Sequence, residues 1–232
     1  MPPPPGPFPP SLWRASQNEG GGAKDNGHTK YGVIILAAGM SSRMVENKVL
    51  LPWRDGQPLV AYVAAKFLNA GLGDVLVVTG RDAAQVTEAV APLDARAVHN
   101  PDYATGEMLS SVKVGLSALS DNLAAAFIQP ADMPCVPAEV IRQLATEHEA
   151  GWNLAPRFEG QRGHPVLLDR AYWRAMLELP AGSIPRDALR GTRLRLVDVA
   201  DAGVLLDVDT REGYERALQV ESQRCDNRND VD

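Results

Sequence analysis

The sequence has few cysteines and no long apolar run, and each absence narrows the kind of protein it encodes. Cys135 and Cys225 are its 2 cysteines, too few for a disulfide framework, so we expect a reducing, cytoplasmic location. No apolar stretch approaches the roughly 20 residues that a membrane helix needs, so no membrane association is predicted. A net charge of −6 argues against a nucleic-acid-binding surface.

Three common active-site signatures are also missing. The sequence contains no Gly-x-Gly-x-x-Gly dinucleotide fingerprint, no Gly-Lys-Ser/Thr of a Walker A loop and no Gly-x-Ser-x-Gly nucleophile elbow. These absences argue against a dinucleotide-dependent dehydrogenase, a P-loop NTPase and a serine hydrolase.

The two ends of the chain differ in composition from its middle. Residues 1–30 are rich in proline and glycine and lack the apolar core of a secretion signal, so they are predicted to form a disordered leader. A docking tail for a proline-binding partner is the alternative. Residues 223–232 are polar and predicted to be a flexible tail, which leaves one domain at 31–222.

Within that domain, β-rich runs alternate with helical patterns. This alternation predicts an α/β domain of three layers, α/β/α, with a mainly parallel sheet. Residues 158–163 are predicted to form a hairpin or an excursion from the sheet, and Asp82 to open a helix through a capping box. Strands are predicted at 33–36, 75–79, 97–99, 124–128, 152–157, 164–168, 194–199 and 204–208, and helices at 58–70, 82–90, 106–119, 137–149, 169–179, 185–190 and 210–220.

The first strand is followed by the most informative motif. The apolar run Val33–Leu36 ends at Ala37-Ala38-Gly39, whose small side chains would let a ligand approach the backbone closely. Arg43 and Lys48 follow and supply the fixed positive charge that a triphosphate needs. The alternative is a plain turn with surface charges.

Leu36-Ala-Ala-Gly-Met-Ser-Ser-Arg-Met44, followed by Lys48, resembles the signature of the MobA-like nucleotidyltransferases, and within them most resembles the molybdenum-cofactor cytidylyltransferases. These enzymes transfer a nucleotide from a nucleoside triphosphate to a phosphorylated acceptor. The resemblance covers roughly residues 31–220 and implies a Rossmann-like nucleotide-diphospho-sugar transferase fold. One departure is Val45, which stands where the family usually has Gly, with Glu46 beside it.

The resemblance implies roles for this motif and for three aspartates. Arg43 and Lys48 would hold the leaving pyrophosphate, and Asp132-Met-Pro matches the Asp-x-Pro pattern that the family uses for Mg²⁺; a turn before the proline is the alternative. Asp207 would be the second metal ligand, with Asp209 as the alternative for that role, and Asp209 would otherwise contact the acceptor. Both could instead simply flank the helix cap at Thr210. The nucleotide-binding set is Leu36, Ala37, Ala38, Gly39, Ser41, Ser42, Arg43 and Lys48, and the catalytic set is Arg43, Lys48 and Asp132.

Two further stretches are predicted to contact the acceptor. Arg162-Gly163-His164-Pro165 resembles the Arg-Gly-His-Pro stretch of the cytidylyltransferase branch. Asn100, with Ser110 and Ser111 on a helix beginning near Gly106, matches a family pattern that faces substrate. Alternatively, His164 is structural and the serines form an exposed helix face.

The implied reaction is transfer of CMP from CTP to the phosphate of molybdopterin. CTP is favoured over GTP by Leu-Ala-Ala-Gly in place of Leu-Ala-Gly-Gly, and by Arg-Gly-His-Pro. A guanylyltransferase, a cytidylyltransferase for a sugar- or polyol-phosphate, and a non-catalytic molybdenum-cofactor carrier remain alternatives. The expected partners are the nucleotide, a molybdopterin-type acceptor and a recipient molybdoenzyme, with the protein a monomer or weak dimer.

Overall fold

Eight strands form one mixed sheet in the computed structural model, which describes residues 31–39, 47–105 and 107–229. The predicted leader, residues 1–30, lies outside the described residues. In chain order the strands are β1 (Tyr31–Ala37), β2 (Asp74–Thr79), β3 (Ala95–His99), β4 (Ala125–Pro130), β5 (Asn153–Phe158), β6 (Gln161–Arg162), β7 (Val166–Asp169) and β8 (Leu194–Asp198). Their order in the sheet is β3-β2-β1-β4-β7-β5-β6, and β8 pairs with β5.

The first half of the sheet is parallel. β1 lies between β2 and β4 and pairs in parallel with both, and β3 extends this half beyond β2. The second half begins where β7 pairs antiparallel with β4, and β5 and β6 form the predicted hairpin. The mainly parallel sheet expected from the sequence is therefore confirmed, with an antiparallel extension on one side.

Helices cover both faces of the sheet, as a three-layer fold requires. They are α1 (Leu59–Asn69), α2 (Ala83–Val90), α3 (Met108–Ala118), α4 (Ala138–Glu147), α5 (Trp173–Glu178), α6 (Pro185–Ala188) and α7 (Arg211–Asn229). Alternate residues of β1 point to opposite faces: Val33 and Ile35 pack with α1, α2 and α4, whereas Ile34 packs with α3, α5 and α6. The three-layer prediction is confirmed.

The start of α2 corrects one prediction. Asp82 adopts a left-handed conformation with φ 59°, and its side chain does not cap the helix. The carboxylate instead accepts hydrogen bonds from Asn47 and Arg81. The capping box predicted at Asp82 is therefore wrong, because a tertiary contact takes the side chain away from the helix.

The segment before α7 corrects a second prediction from the sequence. A strand was predicted at 204–208, but Ala202–Leu205 form a 3₁₀ turn, and the Asp201 carboxylate caps it by accepting a hydrogen bond from the Gly203 amide. Val204 joins the buried core, and its carbonyl accepts a hydrogen bond from the His164 amide at 3.0 Å. The predicted helix cap at Thr210 is confirmed, since its hydroxyl accepts from the Gly213 amide at 3.0 Å.

In the described part of the chain, no helix has the length and apolarity needed to cross a bilayer.

Candidate active site

The carboxyl ends of β1, β2 and β4 meet at one edge of the sheet, where ligands bind in open α/β folds. The Leu36 carbonyl of β1 accepts a hydrogen bond from the Ala131 amide at 3.0 Å, which ties the ends of two neighbouring strands together. A cleft of about 400 Å³ opens at this edge. Its walls come from the ends of β1 and β4, the turn at Lys48 and the segment before α3; the lining residues are Leu36, Ala38, Gly39, Lys48, Val49, Tyr103, Ala104, Thr105, Glu107, Met108, Ser111, Pro130 and Asp132.

The end of β1 is shaped for close approach of a ligand. Ala38 and Gly39 line the cleft, and a Cβ added to Gly39 would meet no other described atom within 4 Å. Ala37, by contrast, is buried in the core beneath α1, so only its backbone can face a ligand. The predicted nucleotide-binding residues Ser41, Ser42 and Arg43 lie outside the described residues, as do Val45, Glu46 and Gly106.

Lys48 reaches the cleft from a short 3₁₀ turn, Lys48–Leu50, that begins at Asn47. Asn47 is buried; its side-chain oxygen accepts from the Val49 amide at 3.3 Å and its side-chain nitrogen donates to Asp82 Oδ2 at 3.0 Å. Asn47 therefore fixes the turn against the end of β2. Asn47 belongs to none of the motifs recognised in the sequence, although an asparagine before a short helical turn is a recognisable cap signal.

Lys48 lies between two carboxylates. Its Nζ donates to Asp132 Oδ2 and to Asp209 Oδ1, each at 2.5 Å. Burial disfavours the charged ammonium, but the charges and hydrogen bonds of Asp132 and Asp209 outweigh burial and raise the pKa of Lys48 above its usual value. Lys48 is therefore a fixed positive charge at neutral pH. The structure thus brings together two of the predicted catalytic residues, Lys48 and Asp132, and adds Asp209.

Asp209 occupies this position because Val208 is anchored beside it. The Val208 side chain is fully buried, and its amide donates to the Asp132 carbonyl at 2.8 Å. Asp207, on the other side of Val208, is solvent-exposed. The prediction favoured Asp207 over Asp209 for the metal, whereas in the structure Asp209 is the aspartate that shares a cation with Asp132.

The paired carboxylates have the chemistry of a small divalent-metal site. Because both oxygens contact one ammonium at 2.5 Å, they lie at most about 5 Å apart, and two oxygens on one Mg²⁺ lie at most about 4.2 Å apart, so one ion could bind both after a small approach. Among the described residues, no three His, Cys, Asp or Glu side chains form a larger metal cluster. Two carboxylates suit Mg²⁺ in nucleotide-using enzymes, where substrate phosphates complete the coordination.

The predicted acceptor residues near α3 form a hydrogen-bonded unit. Asn100 is fully buried, and its side-chain nitrogen donates to Ser110 at 2.8 Å and to Ser111 at 3.0 Å. Its side-chain oxygen accepts from the Asp102 amide at 3.0 Å. Ser111 lines the cleft, whereas Asn100 has no exposed atom to offer. The geometry therefore favours Asn100 as a support for the serines over direct contact with the acceptor.

The Arg162–Pro165 stretch has two different roles in the structure. Gly163 is needed for packing, because a Cβ there would overlap the Val204 carbonyl oxygen, so the close approach is to protein backbone and not to a ligand. Burial, together with the nearby Arg162, lowers the pKa of His164 to about 4 although Asp132 opposes the shift. His164 is therefore a neutral hydrogen-bonding group beside Asp132 at physiological pH.

Four residues of the cleft wall near α3 were not singled out in the sequence, although the stretch that contains them was expected to face substrate. Tyr103, Thr105, Glu107 and Met108 line the cleft from the segment between β3 and α3. Met108 is half exposed despite its apolar side chain. This segment consists largely of turns and has no hydrophobic periodicity; its one sequence signal is its place after a strand that ends at the same edge.

Comparison with known sequences gives a family and named relatives. The family model of the MobA-like NTP transferase domain matches residues 33–198. The molybdenum cofactor cytidylyltransferase of Escherichia coli (strain K12) is 30% identical over 184 residues, which cover 78% of this chain and 92% of that protein. The molybdenum cofactor guanylyltransferase of Xanthomonas euvesicatoria pv. vesicatoria (strain 85-10) is 34% identical over 110 residues, 46% of this chain and 58% of that protein.

Solved structures share the fold. A Methanothermobacter nucleotidyl transferase superposes with a TM-score of 0.72 at 23% identity, covering 83% of this chain and 97% of that one. The manganese complex of Mycobacterium tuberculosis Rv0371C gives a TM-score of 0.68 at 22% identity, covering 83% of this chain and 99% of that one.

The family match and the curated relative identify the protein as a nucleotidyltransferase. More specifically, the chain belongs to the MobA-like NTP transferase family, which confirms the resemblance noted in its sequence.

Proposed function

We propose that the protein transfers CMP from CTP to the phosphate of molybdopterin, releasing pyrophosphate. The observation that carries this proposal is Lys48 held between Asp132 and Asp209 at the cleft, a charge arrangement suited to a metal-bound triphosphate. The choice of substrates is supported by the cytidylyltransferase relative, which aligns over 92% of its length.

The acceptor phosphate would attack the α-phosphorus in line, and the bond from that phosphorus to the bridging oxygen would break as pyrophosphate leaves with the electron pair. A phosphate monoester is largely ionised near neutral pH, so this step needs positioning and charge neutralisation but no general base. Asp132 and Asp209 would hold the Mg²⁺. When bound, that ion neutralises charge on the phosphate oxygens of the two reactants.

The chain's own residues would complete the site. With a metal on the carboxylates, the Lys48 ammonium becomes available to the α-phosphate and the departing pyrophosphate, and Arg43 would clamp the outer phosphates. The backbone of residues 36–39 would face the nucleotide. On the acceptor side, Ser111 and the neutral His164 supply hydrogen-bonding groups.

Ala38 supports CTP over GTP. It lines the cleft, and it is the position at which Leu-Ala-Ala-Gly differs from the Leu-Ala-Gly-Gly of the guanylyl branch. Ala38 is 6% exposed and packs in the core, so the preference rests on the motif and not on a contact of its methyl group with the base. Guanylyl transfer is the second candidate, because a guanylyltransferase also matches part of the chain.

The test is pyrophosphate release by the purified protein with molybdopterin and Mg²⁺, comparing CTP with GTP. We expect release with CTP, and we expect Asp132→Asn to abolish it while the circular dichroism spectrum is unchanged, since the substitution removes the negative charge from the metal site at nearly constant shape. Release with GTP alone would favour the guanylyl alternative. Binding of molybdopterin without release would favour a carrier, and near-normal turnover by Asp132→Asn would remove Asp132 from the mechanism.

A further inference from the structure

The loop that carries Asp132 is fixed by hydrogen bonds that other parts of the protein donate to its backbone carbonyl groups. We call residues 132–136 the Asp132 loop; it connects β4 to α4. Each of its five carbonyl oxygens accepts a hydrogen bond, and the four donors come from different parts of the fold. The donors are the Val208 amide to residue 132, Gln129 Nε2 to residue 133, Lys66 Nζ to residues 134 and 136, and Arg224 Nη1 to residue 135.

Three of these bonds come from charged side chains that the proposed chemistry does not use. Lys66 of α1 donates to Pro134 at 2.5 Å and to Val136 at 3.2 Å, and Arg224 of α7 donates to Cys135 at 2.6 Å. Glu221, also on α7, joins the two cations: its Oε1 lies 3.2 Å from Lys66 and 2.5 Å from Arg224. Bonds from charged donors are stronger than neutral ones, so the loop is firmly fixed.

Glu221 is buried and charged. Burial alone would raise the pKa of its carboxyl group, but Lys66, Arg224 and the Tyr62 hydroxyl outweigh burial and lower it. Burial lowers the pKa of Lys66, and Glu221 opposes that shift. Each charge of the cluster therefore depends on its partner, and removing one member leaves another buried without compensation.

Arg224 also contacts the second segment that supplies a carboxylate. Through Nη2 it donates to Asp201 Oδ1, and the same oxygen accepts from the Gly203 amide at 2.7 Å. The turn that follows leads to Val208, whose amide bonds Asp132, and to Asp209 beside Lys48. One guanidinium therefore joins the two segments that end in Asp132 and Asp209.

We propose that Arg224 and Glu221, on the C-terminal helix, are positioning residues that set the distance between Asp132 and Asp209 and so tune the metal site. This inference rests on the proposed function. Groups that orient metal ligands from outside typically contribute 10- to 100-fold to metal affinity. The Asp132 loop is the rigid connection through which α7 would act.

The test compares Arg224→Met with Arg224→Lys and with a control on the same helix, Arg211→Met, which removes an exposed pair with Glu215. Mn²⁺ binding without nucleotide is followed by electron paramagnetic resonance, and the Mg²⁺ dependence of pyrophosphate release is measured in parallel. We expect Arg224→Met to weaken Mn²⁺ binding about 10-fold or more and to raise the half-saturating Mg²⁺ by a similar factor, Arg224→Lys to recover part of both, and Arg211→Met to match wild type.

A purely structural role would lower the folded fraction and hence the rate at every Mg²⁺ concentration, with the half-saturating value unchanged; that result overturns the inference. If Arg224→Met does not fold cooperatively, Glu221→Gln is measured in its place against the same expectation. Asp132→Asn separates the two proposals. If Asp132→Asn loses Mn²⁺ binding but the α7 variants bind Mn²⁺ normally, the positioning role is refuted and the proposed metal site stands. If Asp132→Asn binds Mn²⁺ as the wild type does, the proposed metal site itself is refuted.

Discussion

Lys48→Met tests whether the ammonium of Lys48 occupies the place of a divalent cation. In the described structure Lys48 neutralises Asp132 and Asp209, whose side chains are 20% and 40% exposed. Methionine keeps the length and apolar stem of the side chain but removes the charge. We expect the two properties of the site to move in opposite directions: the metal-free protein should bind Mn²⁺ more tightly, and turnover should fall.

The size of the effect follows from the geometry. Two carboxylate oxygens within about 5 Å repel each other by about 3 kcal/mol at an effective dielectric constant of about 20. Solvent at Asp209 reduces this to about 2 kcal/mol. A bound cation relieves that repulsion, so Mn²⁺ affinity should rise about 30-fold. Loss of a positive charge aimed at the transition state should lower kcat by about 10²- to 10³-fold.

The assay measures free Mn²⁺ by electron paramagnetic resonance without nucleotide, and pyrophosphate release at saturating Mg²⁺. Lys113→Met is the matched control, because Lys113 is a half-buried lysine whose Nζ donates to the Leu179 carbonyl, away from the carboxylates. Lys113→Met should leave Mn²⁺ affinity unchanged. Weaker or equal Mn²⁺ binding by Lys48→Met would refute the view that lysine and metal compete for the same two oxygens.

Two further predictions concern the Arg162–Pro165 stretch. Gly163→Ala should lower the free energy of unfolding, measured in urea, by about 1–3 kcal/mol, because the new methyl meets the Val204 carbonyl. Gly73→Ala is the control: no described atom lies within 4 Å of its added carbon, so it should lower the free energy of unfolding by less than half as much. Equal decreases in the free energy of unfolding for the two variants would show that the backbone near Gly163 shifts to accommodate the methyl group. Burial lowers the pKa of His164 to about 4 from 6.5, so the unfolded chain takes up a proton first as the pH falls and stability declines from pH 6.5 towards 4. Between pH 7.5 and 5, the free energy of unfolding measured by urea titration should fall about 2 kcal/mol more for the wild type than for His164→Asn. If the free energy of unfolding of the two proteins changes equally with pH, the burial argument is contradicted.

The sequence predicts the sheet and the edge at which the cleft lies. Buried apolar runs such as Val33–Leu36 are long enough to identify strands, and chemistry-bearing residues follow them directly, so Lys48 and Asp132 could be placed at the same edge before any coordinates. The family signature then gives these residues their roles. A local pattern suffices for Asp132, which lies two positions after β4, whereas Lys48 lies 11 positions after β1 and is identified by the motif.

The choice between Asp207 and Asp209 could not be predicted in the same way. Alternation along a strand puts both carboxylates on one face. This segment, however, follows a 3₁₀ turn and pairs with none of the described strands, so alternation does not govern it. The burial of Val208 and its bond to the Asp132 carbonyl decide the orientation. Likewise, Lys66 and Arg224 are 158 positions apart and neither belongs to a motif, so their meeting at the Asp132 loop is a property of the folded chain alone.

The charges at the cleft bear on how an acidic protein binds a polyanion. The charged residues that line it in the described part of the chain are Lys48, Glu107 and Asp132, and Asp209 completes the ion pairs of Lys48. Without a metal, Lys48 pairs with two carboxylates. Lys48, Asp132 and Asp209 together then carry a net charge of −1, which repels a triphosphate. If Asp132 and Asp209 held a divalent cation, the net charge of these groups together with Lys48 would change from −1 to +1, and the Lys48 ammonium would be available to contact phosphate. We therefore expect nucleotide and metal to bind together, with Lys48 passing from the carboxylates to the phosphates, so that a single side chain couples occupancy of the metal site to the step it assists.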